Sequence, residues 1–168
     1  MDSKPLIFSE HTMERNERWD RRFLRLAKEV SRWSRDPSSR VGAIAVRDRR
    51  VLATGYNGLP RGVVDSPERL ENRELKYQMT AHAETNALAA AAHSGVSLAG
   101  STIYIWPYHP CSNCAGLLIN AGIERVVFPD FEVPERWVSN FCLAQTMFNE
   151  ADVMVDAIEM DVREEVAA

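Results

Sequence analysis

The sequence predicts one three-layer α/β/α domain built on a mixed five-stranded sheet. Three observations carry that prediction. An apolar stripe at helical spacing precedes two short apolar runs that flank a polar turn. Beyond them, helical and strand patterns alternate along the chain. About two dozen residues, including a helix, separate the last two strand patterns, which is enough for a crossover and makes those two strands parallel. The 168 residues suit a single domain over 1–168, with its core at about 12–160.

The elements follow in order. Trp19, Phe23, Leu26, Val30 and Trp33 recur at spacings of four and three, the stripe of an amphipathic helix. It should begin near Thr12 and end before Asp36-Pro37, because proline disfavours helix in the preceding residue. Val41–Val46 and Val51–Tyr56 enclose Asp48-Arg49-Arg50 and read as an antiparallel hairpin. Asn57–Gly62 is punctuated by Gly and Pro and should be a loop. A short helix is expected around Pro67–Lys76. His82–His93 is Ala-rich and helical, with Gly95 to end it. Thr102–Trp106 is a strand closed by Pro107, Cys114–Ala121 a helix ending at Gly122, and Arg125–Phe128 a strand. A helix between Pro134 and Glu150 carries Trp137, Phe141, Ala144 and Phe148 on one side. Val153–Met160 is the last strand.

The residues that carry chemistry lie in two of these junctions. His82-Ala83-Glu84 opens one helix, and Pro110-Cys111-Ser112-Asn113-Cys114 opens another. One His and two Cys supply three zinc (Zn2+) ligands and leave a fourth position for water, as catalytic sites do and closed structural sites do not. Two cysteines a turn apart at a helix start gain from the N–H groups and the dipole, which favour thiolates. Zinc lowers the pKa of a bound water toward about 7, which makes it a nucleophile at neutral pH. Glu84 is two residues from His82, close enough to shuttle protons without ligating. A closed structural site would need Cys142 as fourth ligand, and Cys142 sits in an apolar helical pattern where a free Cys is commonly a buried hydrophobe.

Composition narrows the class. The net charge of −4 argues against a broad grip on nucleic acid. Arg15, Arg18, Arg21, Arg22 and Arg25 alternate with Glu14, Glu17 and Asp20 and read as a solvated face of paired charges, with an anion-binding stripe as the alternative. No apolar run approaches the roughly 20 residues of a membrane span. Met1-Asp2-Ser3-Lys4-Pro5 lacks a signal peptide's apolar core, and three Cys with a C-x-x-C fit metal binding in a reducing compartment. A cytoplasmic protein without membrane or nucleic-acid partners is expected.

The H-x-E…P-C-x-x-C pattern is the known signature of zinc deaminases. With it, the chain resembles the cytidine deaminase superfamily, and most closely its deoxycytidylate (dCMP) deaminase branch. The likeness runs from about Trp33 to Val155 and includes Ser34–Ala43, Ala53–Gly62 and Ala121-Gly122-Ile123; the Gly55-Tyr-Asn-Gly58…Pro60-Arg-Gly62 stretch points to that branch. The resemblance implies a five-stranded sheet with helices on both sides. It implies His82, Cys111 and Cys114 as zinc ligands, Glu84 as proton shuttle, Asn57 as a sugar or base contact, and the Ala83 N–H as holder of the base carbonyl. It further implies hydrolysis of dCMP to dUMP and ammonia by a homo-oligomer, a dimer or a hexamer. The chain departs from the branch at Leu88–His93, at Trp106–His109, and in having no Cys before His82.

Around the centre, Arg40 and Arg61 are candidates for a substrate phosphate, for which a guanidinium fork is suited; a salt bridge is the alternative for each. Tyr108 and His109 are candidates to line the pocket. Trp106 is expected to pack rather than stack on a base, and His11 and His93 to lie at the surface. The substrate is thus a small nucleotide or base. The alternatives are a deaminase of a free nucleobase or other amino-heterocycle and a non-catalytic zinc-binding protein.

Overall fold

The computed structural model describes residues 10–160, with side chains from residue 16. The chain begins with α1 (Glu10–Ser31), then β1 (Gly42–Arg47) and β2 (Arg50–Tyr56). Two short helices follow, α2 (Pro67–Glu71) and α3 (Arg73–Met79), then α4 (Ala83–His93) and β3 (Thr102–Trp106). The remainder is α5 (Ser112–Asn120), β4 (Arg125–Pro129), α6 (Glu135–Glu150) and β5 (Met154–Ile158).

The five strands form one sheet in the order β2-β1-β3-β4-β5. β1 is antiparallel to both β2 and β3, while β3, β4 and β5 run parallel. The hairpin closes through Asp48 and Arg49, at φ 52° and 60°, because two residues of positive φ match the twist of the strands they join. The parallel pair expected at the end of the chain is β4–β5; the insertion of β3 beside β1 was not legible in the sequence.

Alternation along the strands divides the core into two layers. Ile44, Val46, Tyr104, Trp106 and Val127 pack with Phe23, Leu24, Ala27 and Val30 of α1 on one face. Ala43, Ala45, Ile103, Ile105 and Val126 pack with Ala83 and Ala87 of α4, Leu118 of α5 and Phe148 of α6 on the other. Fully buried side chains such as Leu24, Ile44 and Phe148 each contribute roughly 1.5–3 kcal/mol by leaving water.

Four details refine the expected elements. The buried face of α1 is rotated: Leu26 and Trp33 are exposed, whereas Asp20, Leu24, Ala27 and Ser31 are buried. Gly42 is the cause, since a Cβ there would run into the backbone of Ala27 and Ser31, so helix and strand meet on small residues. Second, α1 ends at Ser31, before Asp36-Pro37 as expected, where Arg32, Trp33 and Ser34 donate their N–H groups three residues back and tighten the chain out of α geometry. Third, the helix expected at Pro67–Lys76 is two helices. They break at Asn72 (φ −74°, ψ 102°), which caps α3 by accepting the Leu75 N–H on its side chain, the usual role of Asn at an N-cap. Fourth, Cys142 is exposed on α6, not buried.

Asp20 also departs from the solvated face assigned to it. It is 2 % exposed and accepts the Tyr104 hydroxyl at 2.7 Å and both outer nitrogens of Arg125 at 2.8 and 2.9 Å. The rest of that face is as expected where described: Arg21 pairs with Glu17 at 3.2 Å and Arg22 lies over the Trp19 ring at 4.7 Å. The side chains of His11, Glu14 and Arg15 lie outside the described residues.

Candidate metal centre

Two helix starts build the centre. His82 is the N-cap of α4 and Cys111 the N-cap of α5, both in extended backbone, and neither uses its side chain to cap its own helix. Their donor atoms are therefore free to turn toward each other. α4 reaches this position because Gly55 of β2 has no Cβ; one there would strike the backbone of Ala83 and Ala87. α5 is held from α6 by Asn140, which accepts the Ser112 N–H at 2.9 Å and donates to the Ser112 hydroxyl at 3.0 Å. Asn140 was not found from sequence, since nothing in its spacing signals a contact 28 residues back.

The His82 Nδ1 lies 3.4 Å from the sulfurs of both Cys111 and Cys114, and the three donor atoms all fall within 4.8 Å of one another. A tetrahedral zinc with its usual N and S bond lengths spans about 3.5 Å from nitrogen to sulfur, so the donor set fits that ion. Cys142 is not part of the group, and with it goes the closed structural site. His82 is exposed while both cysteines and Glu84 are buried, so the centre opens to solvent on its imidazole side.

Charge is poised for a cation. A hydrogen bond from Cys114, the His82 ring and the Cys114 N–H pull the Cys111 thiol down to about 4 against burial. The Cys111 sulfur then pushes the Cys114 thiol upward, aided by burial and by Glu84. The pair thus shares one proton where a divalent cation would displace it. The Cys111 sulfur beside its ring raises His82 against burial. Glu84 is 4 % exposed; burial drives its carboxyl up, opposed by its own N–H and by His82.

The remaining candidates are placed as follows. Asn57 is buried, and its amide is bonded to backbone: Oδ1 accepts the Val41 N–H at 2.8 Å and Nδ2 donates to the Ser39 carbonyl at 2.8 Å. These two bonds bracket Arg40, which is itself exposed. Arg61 is exposed in the loop after β2, and Tyr108 is half-buried in the loop between β3 and α5. His109 is enclosed: its ring lies 5.0, 5.5 and 5.8 Å from those of Phe128, Phe141 and Phe148, with Nδ1 2.7 Å from the Pro110 carbonyl. Trp106 packs against Phe131 at 5.1 Å, with the Lys28 ammonium 5.0 Å from its ring. His93 is exposed. Among the described residues no helix is long and apolar enough to cross a membrane.

Comparison with known proteins agrees with this geometry. The family described as cytidine and deoxycytidylate deaminase zinc-binding region matches residues 17–129. An uncharacterised deaminase of the luxG 3′ region of Aliivibrio fischeri is 37% identical over 147 residues, covering 86% of this chain and 97% of that protein. The deoxycytidylate deaminase of Mycobacterium phage D29 is 37% identical over 123 residues, covering 66% and 94%. The crystal structure of the dCMP deaminase of cyanophage S-TIM5 in complex with dCMP and dUMP superimposes with a TM-score of 0.63 at 25% identity, covering 82% of this chain and 94% of that one. With a His/Cys/Cys zinc centre on that fold, the chain belongs to the cytidine and deoxycytidylate deaminase family, in its dCMP deaminase branch, and is a zinc-dependent hydrolytic deaminase.

Proposed function

We propose that the protein hydrolyses dCMP to dUMP and ammonia. The observation that carries this reading is the path from Arg40 to the metal ligands. Asn57 brackets Arg40 with its amide. The next residue, Gly58, exchanges backbone hydrogen bonds with Ala81 at 3.1 and 2.9 Å, and Ala81 precedes His82. The backbone of Arg40 is thereby held near the segment that leads to His82, and its exposed guanidinium can take a phosphate while the base reaches His82. The phage relatives supply the choice of nucleotide, one named for deoxycytidylate and one crystallised with dCMP and dUMP.

Zinc held by His82, Cys111 and Cys114 would supply a Lewis acid that brings the pKa of a water toward about 7. Glu84 would take the two protons of the attacking water in turn, passing the first to the ring nitrogen of the base and the second to the departing amine. Its burial raises the carboxyl's affinity for a proton, which favours its taking one from water. The Ala83 N–H, at the first position of α4, has no intrahelical acceptor and is available to the base carbonyl. Arg61 and Tyr108 border the phosphate and the base, and His109 supports the Pro110–Cys111 turn. The enzyme acts in the cytoplasm as a homo-oligomer, a dimer or hexamer.

Ammonia release measured across dCMP, CMP, deoxycytidine, cytosine and guanine tests the proposal. The expected result is kcat/KM for dCMP at least about tenfold above that for deoxycytidine, with Arg40→Ala removing the difference. Turnover of a free base with dCMP inert would overturn it in favour of the nucleobase reading.

A further inference from the structure

A buried ion pair outside the metal centre has no part in the chemistry above. Lys76 of α3 and Asp36 of the loop before β1 have side chains only 9% and 8% exposed, and Nζ lies 2.9 Å from Oδ1. Lys76 also donates to the Ser38 hydroxyl at 3.1 Å. The same Asp36 oxygen accepts the N–H groups of Ser38 at 2.7 Å and Ser39 at 3.1 Å. Asp36 thus sets a tight turn just ahead of Arg40, and the ammonium keeps its carboxylate in place. Isolated, a buried charge is unfavourable, so a pair this enclosed holds only while both members are present.

The two ends of this pair belong to different parts of the site. Asp36 governs the turn whose Ser39 carbonyl accepts the Asn57 amide. Lys76 stands six residues before His82, on a helix whose C-cap, Thr80, is followed by the Ala81 that bonds Gly58. From these contacts we infer that Lys76 is a positioning residue, clamping the Asp36–Arg40 turn to the segment that delivers His82 and so setting where the substrate's phosphate is held relative to the metal. The inference rests on the reading of Arg40 as the phosphate contact.

Without the ammonium, Asp36 turns toward water, and the turn carrying Ser38, Ser39 and Arg40 loosens. The metal ligands stand on α4 and α5 and keep their places. The loss should therefore fall on recognition of the phosphate and not on the chemical step.

Steady-state kinetics of Lys76→Met with dCMP and with deoxycytidine, alongside zinc content, test this. KM for dCMP should rise about tenfold or more while kcat stays within about threefold. Zinc content and the kcat/KM for deoxycytidine should be unchanged. The double variant Asp36→Asn/Lys76→Met keeps an oxygen for the Ser38 and Ser39 N–H groups with no charge to balance, and should return KM most of the way. An unchanged KM for dCMP in Lys76→Met, equal losses on dCMP and deoxycytidine, zinc loss, or no recovery in the double variant would each overturn the inference alone. A wild-type enzyme that does not prefer dCMP to deoxycytidine would overturn the reading of Arg40 and the inference with it. If Lys76→Met does not accumulate, Asp36→Asn, which strands the ammonium instead, is read by the same kinetics with the same expected split.

Discussion

Glu84 holds a carboxyl in a buried part of the centre, two residues from an exposed ligand. That contrast follows from α4 itself: His82 is still in extended backbone as N-cap, whereas Glu84 is one step inside the helix and turned to the core side. Its proton affinity is raised by burial and restrained by its own N–H and by His82, in keeping with the proposed role of proton shuttle. Glu84→Gln should retain zinc by metal analysis and lose roughly 10²- to 10⁴-fold in kcat, since it removes general acid–base help and no ligand. Cys142 provides a contrasting case. Exposed and outside the donor group, its change to Ser should leave zinc content as it is.

At the scale of elements, the approach of α4 to β2 decides whether the ligands meet. Gly55 is the position that permits it, because any side chain would enter the backbone of the first turn of α4. Gly55→Ala should push α4 outward and destabilise the fold by about 1–3 kcal/mol, as overpacking does. It should also weaken zinc binding, because His82 moves while Cys111 and Cys114 stay on α5; chelator competition measures this. The loop before β1 responds to acid instead. Burial pushes the Asp36 carboxyl up, but Lys76 and the Ser38 and Ser39 N–H groups outweigh it and hold it below its ordinary 3.8. A carboxyl depressed in the folded state stabilises above its unfolded pKa and loses that contribution as pH falls through its folded value. Stability should therefore drop as pH falls below about 4, and Asp36→Asn should flatten that part of the profile in denaturant titrations.

For the molecule as a whole, the cluster of Asp20, Tyr104, Arg125 and Asp156 ties α1 to three strands on the face that carries no ligand. Arg125 reaches Asp156 at 2.6 Å as well as Asp20, and burial together with Asp20 keeps the Tyr104 hydroxyl protonated as a donor. Asp20→Ala leaves the Arg125 guanidinium partly buried and short of its best partner, a loss of about 3 kcal/mol. A melting temperature lower by about 6–12 °C should follow for a chain of this size. Activity per folded molecule should hold, because the cluster stands on the α1 side of the sheet and the metal ligands on the other. A fall in kcat in parallel with stability would show that the two faces are coupled.

Local features were legible in the chain alone. Apolar spacing located the helices and strands to within a few residues, and the two ligand motifs declared a metal centre because their residues are neighbours in the chain. Even the roles of His82 and Cys111 as helix starts were legible, since a cap is set by the residues that flank it. Tertiary structure decided what depends on distant partners. It set β3 beside β1, rotated α1 so that Asp20 and Ala27 face inward, buried His109 among three phenylalanines, and joined Lys76 to Asp36 across 40 residues. The reason is physical: periodicity states that a face is apolar, but which neighbour covers it, and which buried charge finds its partner there, is settled only when the layers close.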